Sequence, residues 1–174
     1  MIVFSSHCKP LIMTLTTLLL QVTWSLITPN DVALAAEQLH NPNIQYNGAY
    51  QQIDYPMGDV PEDQGVCTDV VIRTFRLLGI DLQVEIHDMT GGDPNIVHRR
   101  VPNIAAYLDQ SENWALTTDT PQPGDVIWWK VPVNHIGIVT TNGMVMHNIG
   151  RGQVADVRPD AYDIFKVYRL RTPS

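Results

Sequence analysis

Cys67 is the residue of this sequence best suited to nucleophilic chemistry. It opens the segment CTDVVIRTFRLLG, whose apolar residues recur at helical spacing and whose Gly79 stands where a helix would end. A cysteine in the first turn of a helix lies at the positive end of the helix dipole, which favours the thiolate over the thiol. The position therefore predicts a reactive thiol with a lowered pKa. The alternative is a small, buried hydrophobic residue.

Two of the six histidines lie where a general base for this thiol is expected. His135 opens a predicted strand, HIGIVTT, and His147 closes the following one, MVMH. A nucleophile, a base and a group that orients the base form the arrangement used by thiol hydrolases. We therefore expect Cys67, His135 and His147 to lie together, although histidines at strand ends are often only structural.

The turn between these two strands decides which residue shares a face with His135. A two-residue loop would place Asn148 on that face. A three-residue loop, with Gly143 in the left-handed conformation, pairs Gly137 with His147 and places His147 there instead. The residues of the hairpin alone leave both registers open, because a carboxamide can also orient an imidazole.

The elements that would position these residues fall into two groups along the chain. The predicted helices span Glu37 to Asn47, Val66 to Leu78 and Val101 to Leu108, and His87 to Pro94 is expected to be a loop. From Pro121 onward the composition is typical of strands, at Val126 to Val131, in the hairpin and at Phe165 to Leu170. Helices followed by an antiparallel sheet predict an α+β domain, with the helices packed on the sheet.

The length and net charge of the chain argue against several classes of function. The chain has 174 residues, which suits one domain, and a net charge of −7 without any run of Lys or Arg. This charge argues against nucleic acid or an anionic membrane surface as the main partner. Cysteine and histidine spacings typical of metal sites are missing from the sequence, so we predict no metal and no cofactor, and a metalloprotein is the least favoured class.

The first 35 residues resemble an export signal. Lys9 precedes an apolar run from Leu11 to Ile27, and Ala33-Leu34-Ala35 has the small-x-small pattern of a cleavage site. We predict a signal peptide at 1–35, a mature domain at 36–174 and a location in the periplasm or cell envelope, with no membrane span after cleavage. An uncleaved anchor is the alternative. Cleavage would leave Cys67 as the only cysteine, which in an exported protein favours a reactive thiol.

Four motifs in order relate the sequence to known hydrolases. Tyr55-Pro-Met-Gly58, the Cys67 segment, Pro123-Gly-Asp-Val-Ile-Trp128 and the His135 strand resemble the NlpC/P60 superfamily of papain-like, mostly cell-wall peptide hydrolases. More narrowly, the phrases GDVPEDQGVCTDVVIR, HRRVPN and HNIGRG look like the DUF1287 family. The resemblance covers about Tyr46 to Leu170 and implies a papain-like α+β fold.

The resemblance also implies a role for each matching residue. Cys67 would be the nucleophile, His135 the base and His147 the group that orients the base, which favours the three-residue hairpin loop. The Cys67 backbone N–H and the Tyr55 hydroxyl would face the developing oxyanion. Thr68-Asp69 stands where the superfamily commonly has Ser-Gly, so the substrate preference of better-known members does not transfer.

Three charged residues are candidates for substrate binding. Arg99 and Arg100 could hold a substrate carboxylate, and Asp69 lies beside the thiol. A solvated charge cluster is the alternative for the two arginines. Asp69 is also spaced to pair with Arg73 along the helix, which would offset its tendency to raise the thiol pKa.

These observations predict an exported cysteine hydrolase that cleaves a peptide or amide bond of cell-wall peptidoglycan. Two alternatives keep the same fold. One is a wall-binding or scaffolding module without catalysis, and the other is an acyl transferase, which differs only in what attacks the acyl-thiol intermediate. The sequence carries no signal for an oligomeric state.

Overall fold

A computed structural model of the protein describes residues 24–131 and 134–172, so most of the predicted signal segment lies outside the described residues. Within these residues the α-helices include α1 Pro29–Gln38, α2 Cys67–Leu77, α3 Leu82–Thr90 and α4 Val101–Gln110. The strands are β1 Gln45–Tyr46, β2 Gln64–Gly65, β3 Trp114–Thr117, β4 Val126–Val131, β5 His135–Val139, β6 Val145–His147, β7 Val154–Val157 and β8 Asp163–Leu170. Helices precede an antiparallel sheet, which confirms the α+β class.

The main sheet has six antiparallel strands in the order β3-β8-β4-β5-β6-β7. Strand β5 is central, between β4 and β6, and its first residue, His135, pairs with Trp129. A second, two-stranded parallel sheet joins β1 to β2 just before α2. Cys67 of α2 and Ile136 of β5 share one hydrophobic cluster, so the start of α2 and the start of β5 lie in one region of the fold.

The two faces of β5 carry different residues because side chains alternate along a strand. Ile136 and Ile138 belong to the large hydrophobic core that also contains Cys67 and the buried face of α2. The opposite face contributes to a smaller cluster around Trp129 and Val139. Helix α2 thus packs on one face of the sheet, and His135 starts the other.

Two sequence-based element predictions are wrong. The first helix spans Pro29–Gln38 rather than Glu37 to Asn47, because Thr28 and Asp31 form a capping box that starts it early. The segment from His87 begins inside α3 rather than in a loop. Asp81 caps that helix by accepting a hydrogen bond from the Gln83 N–H, and burial of its apolar residues extends it to Thr90.

Helix α1 is part of the packed domain, because Val32, Ala33, Ala35 and Ala36 are all buried. Cleavage after Ala35 would therefore remove buried residues of α1, and the boundary at residue 35 stays a prediction. Among the described residues, no helix has the length and apolar character needed to cross a membrane.

We expect a chain that begins at Ala36 to unfold more easily than one that begins at Trp24. The shorter chain loses the buried Trp24, Ile27 and Val32 side chains. Each fully buried apolar side chain contributes about 1.5–3 kcal/mol, so the free energy of unfolding should fall by at least about 4 kcal/mol. Urea unfolding followed by circular dichroism measures the difference. Equal midpoints for the two chains would show that α1 does not stabilise the domain.

Candidate functional site

Cys67 is the first residue of α2 and lies at the floor of a cavity. The helix has no side-chain cap from Val66, but the Asp69 carboxylate accepts the Val66 N–H at 2.7 Å and so completes the first turn. The cysteine is free, and 5% of its surface is exposed. The cavity measures about 270 Å³, and the other residues that line it are Tyr46, Gly48, Val66, Thr68, Ile96, Arg99, Arg100, Val101, Pro102 and Asn134.

Burial controls the protonation of this thiol. It raises the pKa of Cys67 to about 11, outweighing the backbone N–H of Ile136, which lowers it, and it is reinforced by the negative charge of Asp69. The expectation of a lowered thiol pKa is therefore wrong for this arrangement. The helix N-terminus and the nearby amides favour the thiolate, but they do not offset the loss of water around the sulfur.

Alkylation should report this pKa directly. We expect the rate of Cys67 modification by iodoacetamide to rise about tenfold per pH unit from pH 7 to about pH 10, because the thiolate fraction rises in that proportion below the pKa. Mass spectrometry of the peptide that carries Cys67 follows the rate separately from any labelling of Cys8. A rate that levels off below pH 8 would instead indicate a thiolate stabilised in the resting protein.

His135, His147 and Asp156 form one hydrogen-bonded chain. His135 Nε2 lies 2.7 Å from His147 Nδ1, and His147 Nε2 lies 2.7 Å from Asp156 Oδ1. The His135 ring also stacks on Trp129, with ring centroids 5.5 Å apart. Burial lowers the pKa of His135 to about 4, helped by the neighbouring His147, and burial also lowers the pKa of His147. Both rings are therefore neutral at neutral pH.

The hairpin register predicted for a three-residue loop is confirmed. The strands pair Ile138 with Met146, and the Thr140 N–H donates to the Met144 carbonyl. Gly143 has φ of 78°, the left-handed conformation that this loop requires. As a result, the residue that contacts His135 is His147.

Asn148, the rival residue in the other register, is bonded elsewhere. Its Nδ2 donates to the Gly65 carbonyl at 3.1 Å, and its Oδ1 accepts the Gly150 N–H at 2.9 Å. It therefore ties β6 to the segment just before Cys67 rather than orienting an imidazole.

Gly137 leaves the space that His147 occupies. A Cβ atom at Gly137 would lie 2.6 Å from Val145 Cγ1, 2.8 Å from the Met146 carbonyl oxygen and 3.2 Å from His147 Cβ. Because two of these contacts are too short, we expect Gly137→Ala to lower the free energy of unfolding by about 2 kcal/mol. Gly48→Ala is the matched control, since its Cβ would meet only Val66 Cγ1, at 3.8 Å. Chemical denaturation compares the two, and equal losses would contradict the steric argument.

The structure brings the thiol and the histidine chain to β5 from opposite faces. Cys67 packs with Ile136, and its sulfur is near the Ile136 N–H, whereas His135 shares the Trp129 face. Asn134 lines the Cys67 cavity. Within the described part of the chain, no hydrogen bond joins the sulfur to either ring. His135 thus stands in the chain between Asn134, which lines the cavity, and Ile136, whose N–H is near the sulfur. Its Nε2 is hydrogen-bonded to His147.

Asp69 and Arg99 form a buried ion pair. The carboxylate accepts from Arg99 Nε at 2.8 Å and from Nη2 at 2.9 Å, and the two residues are 2% and 5% exposed. The predicted pair with Arg73 is wrong, because Arg73 binds Asp59 instead. Asp69 and Arg99 therefore use most of their polar atoms on each other. Few of these atoms are left for the substrate-binding role that was predicted for the two residues.

Arg100 differs from its neighbour. It is exposed and lines the cavity, and its guanidinium has no ion pair or hydrogen bond with the residues that the structure describes. None of the described residues that line the cavity is acidic. In a chain with a net charge of −7, this cavity wall is locally positive. Arg100 is thus the predicted substrate-binding residue that remains free to bind an anionic group.

Tyr55 does not lie at the cavity. It is 43% exposed and its hydroxyl contacts His87 Nδ1 at 3.3 Å, on the side of α3. Tyr46 from β1 lines the cavity instead, and burial, together with the nearby Cys67 and Asp69, raises the pKa of its phenol. Tyr46 was not predicted at the site, because the sequence pattern assigned it to a helix over Glu37 to Asn47 and the two-residue strand β1 is too short to show a strand period. Asp156 was also missed, because strand β7 is short and only the β6–β7 pairing brings it to His147.

Metal binding has no support in this region. Among the described residues, no group of three or more His, Cys, Asp or Glu side chains is arranged to hold an ion. The polar groups of the site instead form the hydrogen-bonded chain of His135, His147 and Asp156, and Arg100 gives the cavity wall a positive charge.

Two comparisons with known proteins identify relatives of this chain. A family described as a domain of unknown function, DUF1287, matches residues 32–170. The uncharacterized protein YijF of Escherichia coli (strain K12) is 35% identical over 146 residues, which covers 70% of this chain and 71% of that protein. The family match begins within α1 and extends to the end of β8.

Proposed function

Because the chain belongs to the DUF1287 family, which is described as a domain of unknown function, we propose a function from the site itself. The protein is an exported cysteine hydrolase that cleaves a peptide or amide bond of cell-wall peptidoglycan. Its fold is a papain-like one of the NlpC/P60 type. The residues that act on the substrate are Cys67 as nucleophile and His135 as base, with His147 orienting the base.

One observation carries the proposal. A single thiol at a helix N-terminus lines a cavity, and it lies beside the start of the strand whose first residue is a neutral, hydrogen-bonded imidazole. The backbone N–H of Ile136 is near the sulfur, and Asn134 lines the same cavity, so His135 is flanked by two residues at the thiol. His135 Nδ1 is the ring nitrogen that His147 does not use.

The reaction begins from a neutral pair rather than an ion pair. With the thiol pKa near 11 and the imidazole pKa near 4, the proton stays on sulfur until the substrate carbonyl is in place. His135 Nδ1 then takes the S–H proton as the sulfur–carbon bond forms. Because the two side chains approach β5 from opposite faces, this transfer passes the end of the strand, where His135 is the first residue and Asn134 lines the cavity.

Charge on the carbonyl oxygen develops next to backbone donors. The N–H groups that favour the Cys67 thiolate, those of Ile136, Thr68 and Cys67 itself, are available to an oxyanion formed at the same place. The Tyr46 hydroxyl at the cavity wall is a further donor. The imidazolium of His135 returns its proton to the leaving amine, and water then hydrolyses the thioester on Cys67.

The cavity wall suits a substrate with a free carboxylate. Arg100 supplies an exposed guanidinium, and the described lining residues include no acidic side chain to repel an anion. Peptide stems of the cell wall carry such groups close to amide bonds. The substrate class of the proposal is therefore an acidic or carboxylate-terminated peptide.

Covalent trapping tests the proposal. Purified peptidoglycan is incubated with the protein, the reaction is quenched with acid, and intact-mass spectrometry with peptide mapping locates any adduct. We expect a wall-derived acyl group on Cys67, release of new amines into solution, and neither event with Cys67→Ala. Binding of the protein to the wall without an adduct or product would indicate a wall-binding module and contradict the proposal. Products that appear only when a second amine is added would indicate a transferase.

A further inference from the structure

The carboxylate of Asp156 extends the histidine chain from the site to the protein surface. His147 Nε2 is 2.7 Å from Asp156 Oδ1, and Arg151 Nη2 is 3.0 Å from Asp156 Oδ2. The His147 side chain is fully buried, whereas the Asp156 side chain is 33% exposed. Asp156 thus connects a buried pair of imidazoles to a surface ion pair.

The proton positions in this chain follow from the donors and acceptors available. The carboxylate of Asp156 forms an ion pair with Arg151, and a carboxylate in an ion pair only accepts hydrogen bonds, so His147 must donate from Nε2. A neutral imidazole carries one proton, so His147 Nδ1 is then an acceptor. His135 Nε2, 2.7 Å away, must donate to it, and the lone pair of His135 is left on Nδ1.

Neutral rings are required for this order, and the surroundings provide them. Burial lowers the pKa of both histidines, to about 4 for His135, so neither ring is doubly protonated at pH 7. Asp156 and Arg151 oppose each other in their effect on His147, since the carboxylate raises its pKa and the guanidinium lowers it. The Trp129 ring, stacked on His135, excludes water from the same face.

We infer that Asp156 is a positioning residue that orders the two imidazole protons and thereby leaves His135 Nδ1 unprotonated. Its catalytic consequence rests on the proposed function: an unprotonated Nδ1 is the atom that can take the proton from Cys67. When that transfer occurs, the S–H bond breaks, an N–H bond forms at Nδ1, and the positive charge on His135 is shared through His147 with the carboxylate. Asp156 touches neither the thiol nor the substrate and acts only through His147.

The nearly isosteric substitution Asp156→Asn should reverse the direction of the hydrogen bonds along the histidine chain. The carboxamide can donate from its NH₂ group to His147 Nε2, which moves the His147 proton to Nδ1. His147 then donates to His135 Nε2, and His135 carries its proton on Nδ1, where it cannot act as a base. Asp160→Asn is the matched control, because it makes the same chemical change in a carboxylate that is 79% exposed.

Nitrogen-15 spectra of the histidine rings read the proton positions without reference to activity. At pH 7 we expect the wild-type protein and Asp160→Asn to carry their ring protons on Nε2 of both His135 and His147. We expect the Nδ1-protonated forms to become populated in Asp156→Asn. Turnover of peptidoglycan by Asp156→Asn should fall roughly 10²-fold or more, mainly in kcat, because a wrong tautomer removes the base and leaves substrate binding intact.

The outcomes separate this inference from the proposed function. Wild-type rings protonated on Nδ1, or an Asp156→Asn spectrum identical to that of the wild type, would overturn the role of Asp156. The expected spectra in a wild-type protein that does not cleave peptidoglycan would support the proton order and overturn the hydrolase proposal. If the ring protons change places in Asp156→Asn but its turnover of peptidoglycan is unchanged, the proposed effect of Asp156 on catalysis is overturned.

Discussion

His135→Ala is expected to lower the turnover of peptidoglycan by at least about 10³-fold. The resting thiol has a pKa near 11, so almost none of it is ionised at neutral pH and the nucleophile depends on a base. His135 is neutral above about pH 4, and its two sequence neighbours are Asn134, which lines the cavity, and Ile136, whose N–H is near the sulfur. Removing a member of such a nucleophile–base unit typically costs several orders of magnitude in kcat.

Three comparisons make this result specific. His87→Ala, at a partly exposed histidine outside the cavity, should retain wild-type turnover. Cys67→Ala should be as impaired as His135→Ala, and the double variant should be no worse than either, because the two residues act as a unit. Circular dichroism checks that each variant is folded. Losses that multiply in the double variant would show that the thiol and the imidazole act independently.

The pH dependence of wild-type kcat/KM should show the same pair. The rate should be low below about pH 4, where His135 is protonated and cannot accept a proton, and high once the ring is neutral. The rate should fall again above the thiol pKa of about 11, because ionisation of the thiol removes the proton that His135 would pass to the leaving amine. An acid limb near pH 6.5 would indicate an unburied imidazole as the base.

Among point substitutions, breaking the buried ion pair should have the largest effect on stability. We expect Arg99→Met to lower the free energy of unfolding by about 3–5 kcal/mol, because the Asp69 carboxylate, 2% exposed, would be left without its bidentate partner. The same loss should loosen the first turn of α2, since Asp69 also accepts the Val66 N–H. Urea unfolding monitored by tryptophan fluorescence measures the effect.

A second ion pair provides the control for this measurement. Arg158 and Asp160 are 3.6 Å apart and mostly exposed, so Arg158→Met should change stability by less than about 0.5 kcal/mol. The double variant Asp69→Leu with Arg99→Met should recover part of the loss, because it removes both charges from the interior. A loss in Arg99→Met no larger than in Arg158→Met would mean that water reaches Asp69.

Much of the local structure was predictable because it depends on neighbours in the chain. Helix α2 starts at Cys67 and ends before Gly79, as its apolar spacing and glycine indicate. The hairpin that places Gly137 opposite His147 has the predicted three-residue loop. The helix follows from a period within about a dozen residues. The choice of the three-residue loop followed instead from the superfamily resemblance, because the hairpin residues alone left Asn148 as a rival to His147.

Errors arose where a residue finds its partner far along the chain. Asp69 stands at helical spacing from Arg73, yet Arg99, brought in from a segment 30 residues away, binds it more favourably in a buried position. The resemblance to the NlpC/P60 superfamily led us to expect Tyr55 at the site, but the path of the chain places Tyr46 at the cavity. Sequence spacing cannot predict which of two possible partners a residue binds, because packing between distant elements determines that choice.

Residue type and spacing identified the candidate nucleophile, its place at the start of a helix, and two histidines on neighbouring strands of one hairpin. How these groups ionise and connect depends on the folded arrangement: burial makes the thiol a weak acid, Arg99 binds Asp69, and Asp156 completes the histidine chain. Spacing and turn geometry are local, whereas desolvation and buried partners depend on every element that packs around a residue.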